Sequence, residues 1–157
     1  MNKQFIASII ICFCAILVHA DPIKAPATQS KFELLDKNET DSSYMMNDFL
    51  LTIKSDPLKL SEVSGKSIQQ MKETFEKKKE LLKWIGITDW NVSDIQMKDL
   101  DGGKLIKFSG TFKDSGDIKM SFVEAYKVKT DGTKIFLLTA EKEALTEVIF
   151  QKAIAVE

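Results

Sequence analysis

From Trp90 onward the apolar residues change from a spacing of 3.6 to a period of 2. Period 2 is the signature of a strand with one buried face. Three turn sequences cut this stretch: Asp101-Gly102-Gly103, Asp114-Ser115-Gly116-Asp117 and Asp131-Gly132. Asp-Gly pairs tolerate the positive φ that tight hairpins need. Residues 90–98, 104–113, 118–129 and 134–140 are therefore expected to form an antiparallel four-strand meander. The last of these contains Ile135-Phe136-Leu137-Leu138, apolar on both faces. Such a strand belongs in the middle of a sheet covered on both sides.

Upstream, Ile68, Met71, Phe75, Leu82 and Ile85 follow helical spacing, and Lys78 occupies the one missed position of the stripe. Ser64 or Ser67 can cap the start of this helix, and Gly86 stands where a left-handed C-terminal residue is expected. Residues 44–54 read as a strand with Phe49, Leu51 and Ile53 on one face, ended by Asp56-Pro57. A short apolar stretch, 32–35, and a polar turn at 37–41 precede it. At the other end, Ala144, Leu145, Val148, Ile149, Ala153 and Val156 outline a last helix. The expected fold is α+β: an antiparallel sheet of about five to six strands flanked by a long central helix and a C-terminal helix, an α/β/α sandwich.

The first twenty residues carry a different signal. Lys3 is followed by an apolar run from Phe5 to Val18 and by Val18-His19-Ala20, the pattern of a cleavable secretory signal peptide. The run is too short for a spanning helix, which needs about 20 apolar residues. Phe13 before Cys14 and Ile11 before Cys12 do not suit a lipid-anchor site. The domain reading is 1–20 signal peptide, 21–31 flexible leader with Pro22 and Pro26, and 32–157 a single α+β domain. Removal of residues 1–20 leaves 137 residues with 21 Lys and 23 acids, a net charge of −2. A periplasmic or secreted location is expected, without stable membrane insertion after signal removal.

Cleavage would also remove Cys12, Cys14 and His19, which are all the cysteine and histidine of the chain, and every basic residue is Lys. The mature chain then offers no Ser-His-Asp triad, no thiolate nucleophile and no imidazole or thiolate zinc site. Without Arg it lacks bidentate phosphate clamps, and near-neutral charge gives no footprint for nucleic acid. No catalytic residue, cofactor site or metal site is assigned.

Four local patterns resemble functional motifs and fail on spacing or context. Gly65-Lys66-Ser67 ends like a phosphate-binding loop, but Leu60 stands where the first Gly is required. Asp99-Leu100-Asp101-Gly102-Gly103 begins like a calcium loop, yet Lys104 and Gly110 occupy the positions of its Gly and Glu. Val63-Ser64-Gly65 resembles the inhibitory loop of cystatins, but it precedes the helix instead of following it. Asn38-Glu39-Thr40 and Asn91-Val92-Ser93 match the short N-glycosylation pattern, which recurs by chance, and the Lys bias favours a bacterial source.

One residue stands out. The even positions of the third meander strand run Ile118, Met120, Phe122, Glu124, Tyr126 and Val128, so Glu124 falls within an apolar row. A buried carboxylate must be paired or neutralised, which makes Glu124 the one candidate functional side chain. The expectation favoured here is a twist or bulge at this point, or a Lys partner at the sheet edge.

The order of elements resembles the Mog1/PsbP-like fold, and within it the exported DcrB-like bacterial proteins. The resemblance spans roughly 49–156. It is carried by Phe49-Leu50-Leu51-Thr52-Ile53 running into Asp56-Pro57-Leu58, and by Lys134-Ile135-Phe136-Leu137-Leu138-Thr139-Ala140 running into the last helix. It implies no shared catalytic residues, because members of this fold act as binding, assembly or accessory proteins. The functional expectation is a soluble exported binding or accessory protein without catalysis, whose partner is another envelope or secreted protein. The alternatives are a small hydrolase or lyase that uses carboxylates and Lys, and a carrier of an apolar ligand.

Overall fold

The computed structural model describes residues 30–57 and 67–156. The expected signal peptide and most of the leader lie outside these residues, as do Val63, Ser64, Gly65 and Lys66. Among the described residues, seven strands and two helices follow in the order β1 (Glu33–Lys37), β2 (Asp41–Met46), β3 (Phe49–Asp56), α1 (Ile68–Lys83), β4 (Thr88–Leu100), β5 (Gly103–Lys113), β6 (Lys119–Lys129), β7 (Thr133–Ala140) and α2 (Glu147–Ile154). The strands form one antiparallel sheet in the order β1-β2-β3-β7-β6-β5-β4. The meander is the run β4 to β7, and the doubly apolar β7 is the middle strand of the seven.

The sheet has seven strands, not five or six. The expected single strand over 44–54 is a hairpin instead. Asn47 takes φ 53° between β2 and β3. The Asp48 carboxylate there accepts hydrogen bonds from the backbone N–H groups of Lys142 and Glu143, at 2.6 and 2.9 Å. The Asn-Asp pair reverses the chain, and Asp48 ties the reversal to the segment leading into α2. The short stretch at 32–35 contributes β1, which pairs with β2 through a bulge between Leu34 and Asp36.

The long central helix is also revised. α1 has 16 residues, and its backbone runs closest to β4, the strand at one edge of the sheet. Ser67 caps it: the hydroxyl accepts from Gln70 N–H at 3.2 Å, and the Gln70 side chain returns a bond to Ser67 N–H at 2.8 Å. Gly86 takes φ 81° just past the helix end. Leu82 is buried as expected, whereas the side chains of Ile68, Met71 and Phe75 lie outside what is described.

Strand alternation divides the core between the two sheet faces. Leu82 of α1 packs with Trp90, Phe108, Phe122, Tyr126, Ile135 and Leu137 on the first face. Phe150 and Ala153 of α2 pack with Leu51, Ile53, Val123, Ala125, Phe136 and Leu138 on the second. Phe150 carries the α2 contact although it was absent from the stripe read in the sequence. Val148, which was included in that stripe, is 66% exposed. Among the described residues, no helix is long and apolar enough to cross a membrane.

Candidate functional site

Glu124 lies on β6, which pairs in continuous register with β5 on one side and β7 on the other. There is neither a bulge nor an edge at this point. Unbroken alternation therefore turns Glu124 inward, between its cross-strand neighbours Phe108 and Leu137. The carboxylate is fully buried. Its partner is a Lys, but not one at the sheet edge: Lys78 reaches down from α1 and is itself only 1% exposed.

Lys78 Nζ lies 2.8 Å from Glu124 Oε2, and the Tyr126 hydroxyl donates to Glu124 Oε1. Tyr126 is the next inward residue of the same strand, so both carboxylate oxygens are engaged. Lys78 Nζ also sits 4.9 Å from the centroid of the Trp90 ring. A desolvated ammonium over an indole face is favourable. Trp90 stacks on Phe122 at 4.2 Å, and Phe108 meets Tyr126 edge-on at 5.9 Å. The charges are thus boxed in by aromatic rings.

Gly110 makes room for part of this box. A Cβ at Gly110 would fall 2.0 Å from the Asn91 carbonyl oxygen and 2.9 Å from the Phe122 ring. The β4–β5 register shifts on either side, between Thr88 and Asn91 and between Val92 and Asp94. Absence of a side chain lets β4 come close enough for Trp90 to reach Phe122.

Chemically, the group is closed. A general acid or base must reach a reacting atom by hydrogen bond. Here Lys78, Glu124 and Tyr126 are each no more than 1% exposed, and both Glu124 oxygens point at protein partners. The arrangement joins α1 to the centre of the sheet. The alternation of β6 singles out Glu124, whereas Lys78 stands in the sequence only as a gap in an apolar stripe. The missed signal is complementarity between two misfits: one Lys in an apolar helix stripe and one Glu in an apolar strand row.

The rejected motifs have structural roles where they are described. Asp99 pairs with Lys104 at 3.2 Å across the β4–β5 hairpin. Ser67 is a helix cap. Asn38 is exposed in the β1–β2 turn, where its side-chain oxygen accepts from the N–H groups of Thr40 and Asp41. Asn91 is exposed on β4. Among the described residues, no group of three or more His, Cys, Asp or Glu is placed to hold a metal ion.

Surface ion pairs perturb the titration of two groups, Glu147 and Lys113. Lys107 donates to Glu147 at 2.8 Å. This bond, one from Gln151, and the charges of Lys107 and Lys98 hold the Glu147 carboxyl below its ordinary value. Hydrogen bonds to Asp117 and Asp89 raise Lys113. A cleft of about 480 Å³ lies where the ends of β3 and β6 meet the start of β7.

No family model matches the chain, and no curated protein matches it. Among solved structures, PA94 of Pseudomonas aeruginosa, a protein of unknown function, is similar over 88% of this chain and 91% of its own. The identity is 10% and the TM-score 0.48.

Proposed function

We propose that this chain is an exported binding or accessory protein without catalysis, of the Mog1/PsbP-like, DcrB-like kind, acting on another envelope or secreted protein. The observation that carries this reading is the closure of the Lys78–Glu124–Tyr126 group. The one side chain that the sequence offered for acid–base chemistry is buried and engaged at both oxygens. It is spent on holding helix to sheet, which is a task of the scaffold. The α/β/α arrangement, with an apolar cluster and a helix on each face, supports the same kinship.

Export is part of the proposal, and N-terminal sequencing of the exported protein should begin at Asp21. The functional test is crosslinking of the tagged full-length protein in its native envelope, followed by identification of what is bound. The expected result is one protein enriched reproducibly over an unrelated exported control. Recovery of the chain in the cytosolic fraction, or turnover of a substrate that Glu124→Gln abolishes without unfolding, would overturn the reading.

A further inference from the structure

Among the described residues, β4 ends the sheet on one side and β1 on the other. An edge strand carries a row of backbone N–H and C=O groups with which another strand can pair. β1 has only five residues and a bulge between Leu34 and Asp36, two of the ways in which edges are kept from pairing. β4 has 13 residues and two unlike parts. Its first part shifts register twice, before Asn91 and before Asp94, and Lys78 of α1 sits over Trp90 there. From Asp94 to Leu100 the register with β5 is unbroken, and the sequence has no Pro. This is the longer regular stretch of sheet edge among the described residues.

Within this stretch Ile95 and Met97 lie on the first face, half-buried against the cluster that holds Phe108 and Ile106. Asp94, Gln96 and Lys98 lie on the second face and are exposed. The Gln96 side chain donates to the Asp94 carboxylate at 2.6 Å, and Lys98 acts on Glu147 through its charge. Two copies related by a twofold axis would pair here antiparallel. Each residue must then face one of the same parity, so that backbone groups and side chains both match. The axis therefore passes at a residue, and the five choices differ sharply. At Asp94 or at Lys98 it sets like charges directly opposite one another. At Met97 it sets Ile95 opposite Asp99 and Asp94 opposite Leu100. At Ile95 it sets Asp94 opposite Gln96 and leaves Lys98 without an acid. At Gln96 it sets Asp94 opposite Lys98 twice and Ile95 opposite Met97 twice. Opposite charges and apolar pairs directly across a sheet attract, and like charges repel. The edge is thus complementary to itself in one register.

We propose that a second copy of this chain pairs antiparallel along Asp94–Lys98, about an axis at Gln96, so that the two sheets run into one. This interface goes beyond the binding-protein reading and does not depend on it. The five paired residues span about 14 Å, so the contact is small and the dimer forms and separates with concentration.

The test is sedimentation equilibrium of the protein as the cell accumulates it, over about 10 μM to 1 mM, with variants that swap the two charges. The wild type should pass from monomer to dimer across that range. Asp94→Lys and Lys98→Asp each set like charges opposite one another at both symmetry-related places and should weaken the dimer about tenfold. Asp94→Lys/Lys98→Asp reverses the pair without destroying it and should dimerise as the wild type does. A mixture of the two single variants should associate as a heterodimer. Gln96→Cys, in a Cys12→Ser/Cys14→Ser background, reads the register. On the axis its two thiols come within disulfide reach and should crosslink under mild oxidation. Lys98→Cys in the same background lies roughly 14 Å from its copy along the strand and should not. A wild type that stays monomeric at every concentration would overturn the proposal, and so would a dimer that the single swaps leave unchanged. Crosslinking of Gln96→Cys no faster than that of Lys98→Cys would overturn it as well.

Discussion

Lys78 breaks the apolar stripe of α1, Glu124 breaks the apolar row of β6, and the two breaks meet. Each was visible in the sequence as a misfit. Their pairing was not, because period analysis treats each element alone and says nothing about which turn of a helix crosses which strand. Burial of both charges costs several kcal/mol of desolvation per ion, which mutual attraction and added hydrogen bonds must offset. At the surface the same pairing has smaller consequences. Glu147 remains ionised in the folded protein at pH values where the unfolded chain has already taken up the proton. Its contribution is complete above the ordinary carboxylate range and is lost as pH falls through the lowered value. Because Glu147 is 61% exposed, screening keeps the contribution below about 1 kcal/mol. Glu147→Gln should therefore lower stability slightly at pH 7, and its difference from wild type should vanish in acid. Urea melts at the two pH values measure this; an equal difference at both would show that the ion pair is not the cause.

At the scale of elements, turns and caps govern how the chain divides. Asp101-Gly102 and the four-residue turn at 114–117 were legible because their residue types have few other uses. The Asn47-Asp48 turn was not, since Met45, Met46, Phe49 and Leu50 on either side read as one apolar strand. Only the left-handed Asn47 and the bonds to Asp48 reveal the reversal. The strand count differed for that reason. The edge position of β4 was equally hidden, as edge strands differ from central ones by partners and not by period. Gly110 tests how β4 is seated: Gly110→Ala should cost about 1–3 kcal/mol through overpacking against the Asn91 carbonyl and the Phe122 ring. Ser67→Ala should cost about 1 kcal/mol by removing the α1 cap. Thermal melts of both variants, with near-ultraviolet circular dichroism of the Trp90 stack, follow the two effects. A stable Gly110→Ala protein with an unchanged Trp90 signal would contradict the close approach.

Across the whole molecule, the sheet separates two apolar clusters, and each helix contributes to one. The central place of β7 followed from its sequence, since only a strand covered twice can be apolar on both faces. Which α2 residues cover it did not follow, because α2 starts at Glu147 and the helical phase read from Ala144 puts Val148 inside. Phe150→Ala should cost about 3–5 kcal/mol. Trp84→Ala, at a side chain 89% exposed, should stay within about 0.5 kcal/mol. Guanidinium melts of the pair test the division of the core. The claim that joins all three scales is that Lys78 and Glu124 lock helix to sheet as one structural unit. A double-mutant cycle of Lys78→Met and Glu124→Leu, read as unfolding free energy, measures it directly. Each single change should cost about 3–5 kcal/mol by stranding a buried charge, and the double change should cost far less than their sum. Single losses below about 0.5 kcal/mol, or losses that simply add, would contradict the account.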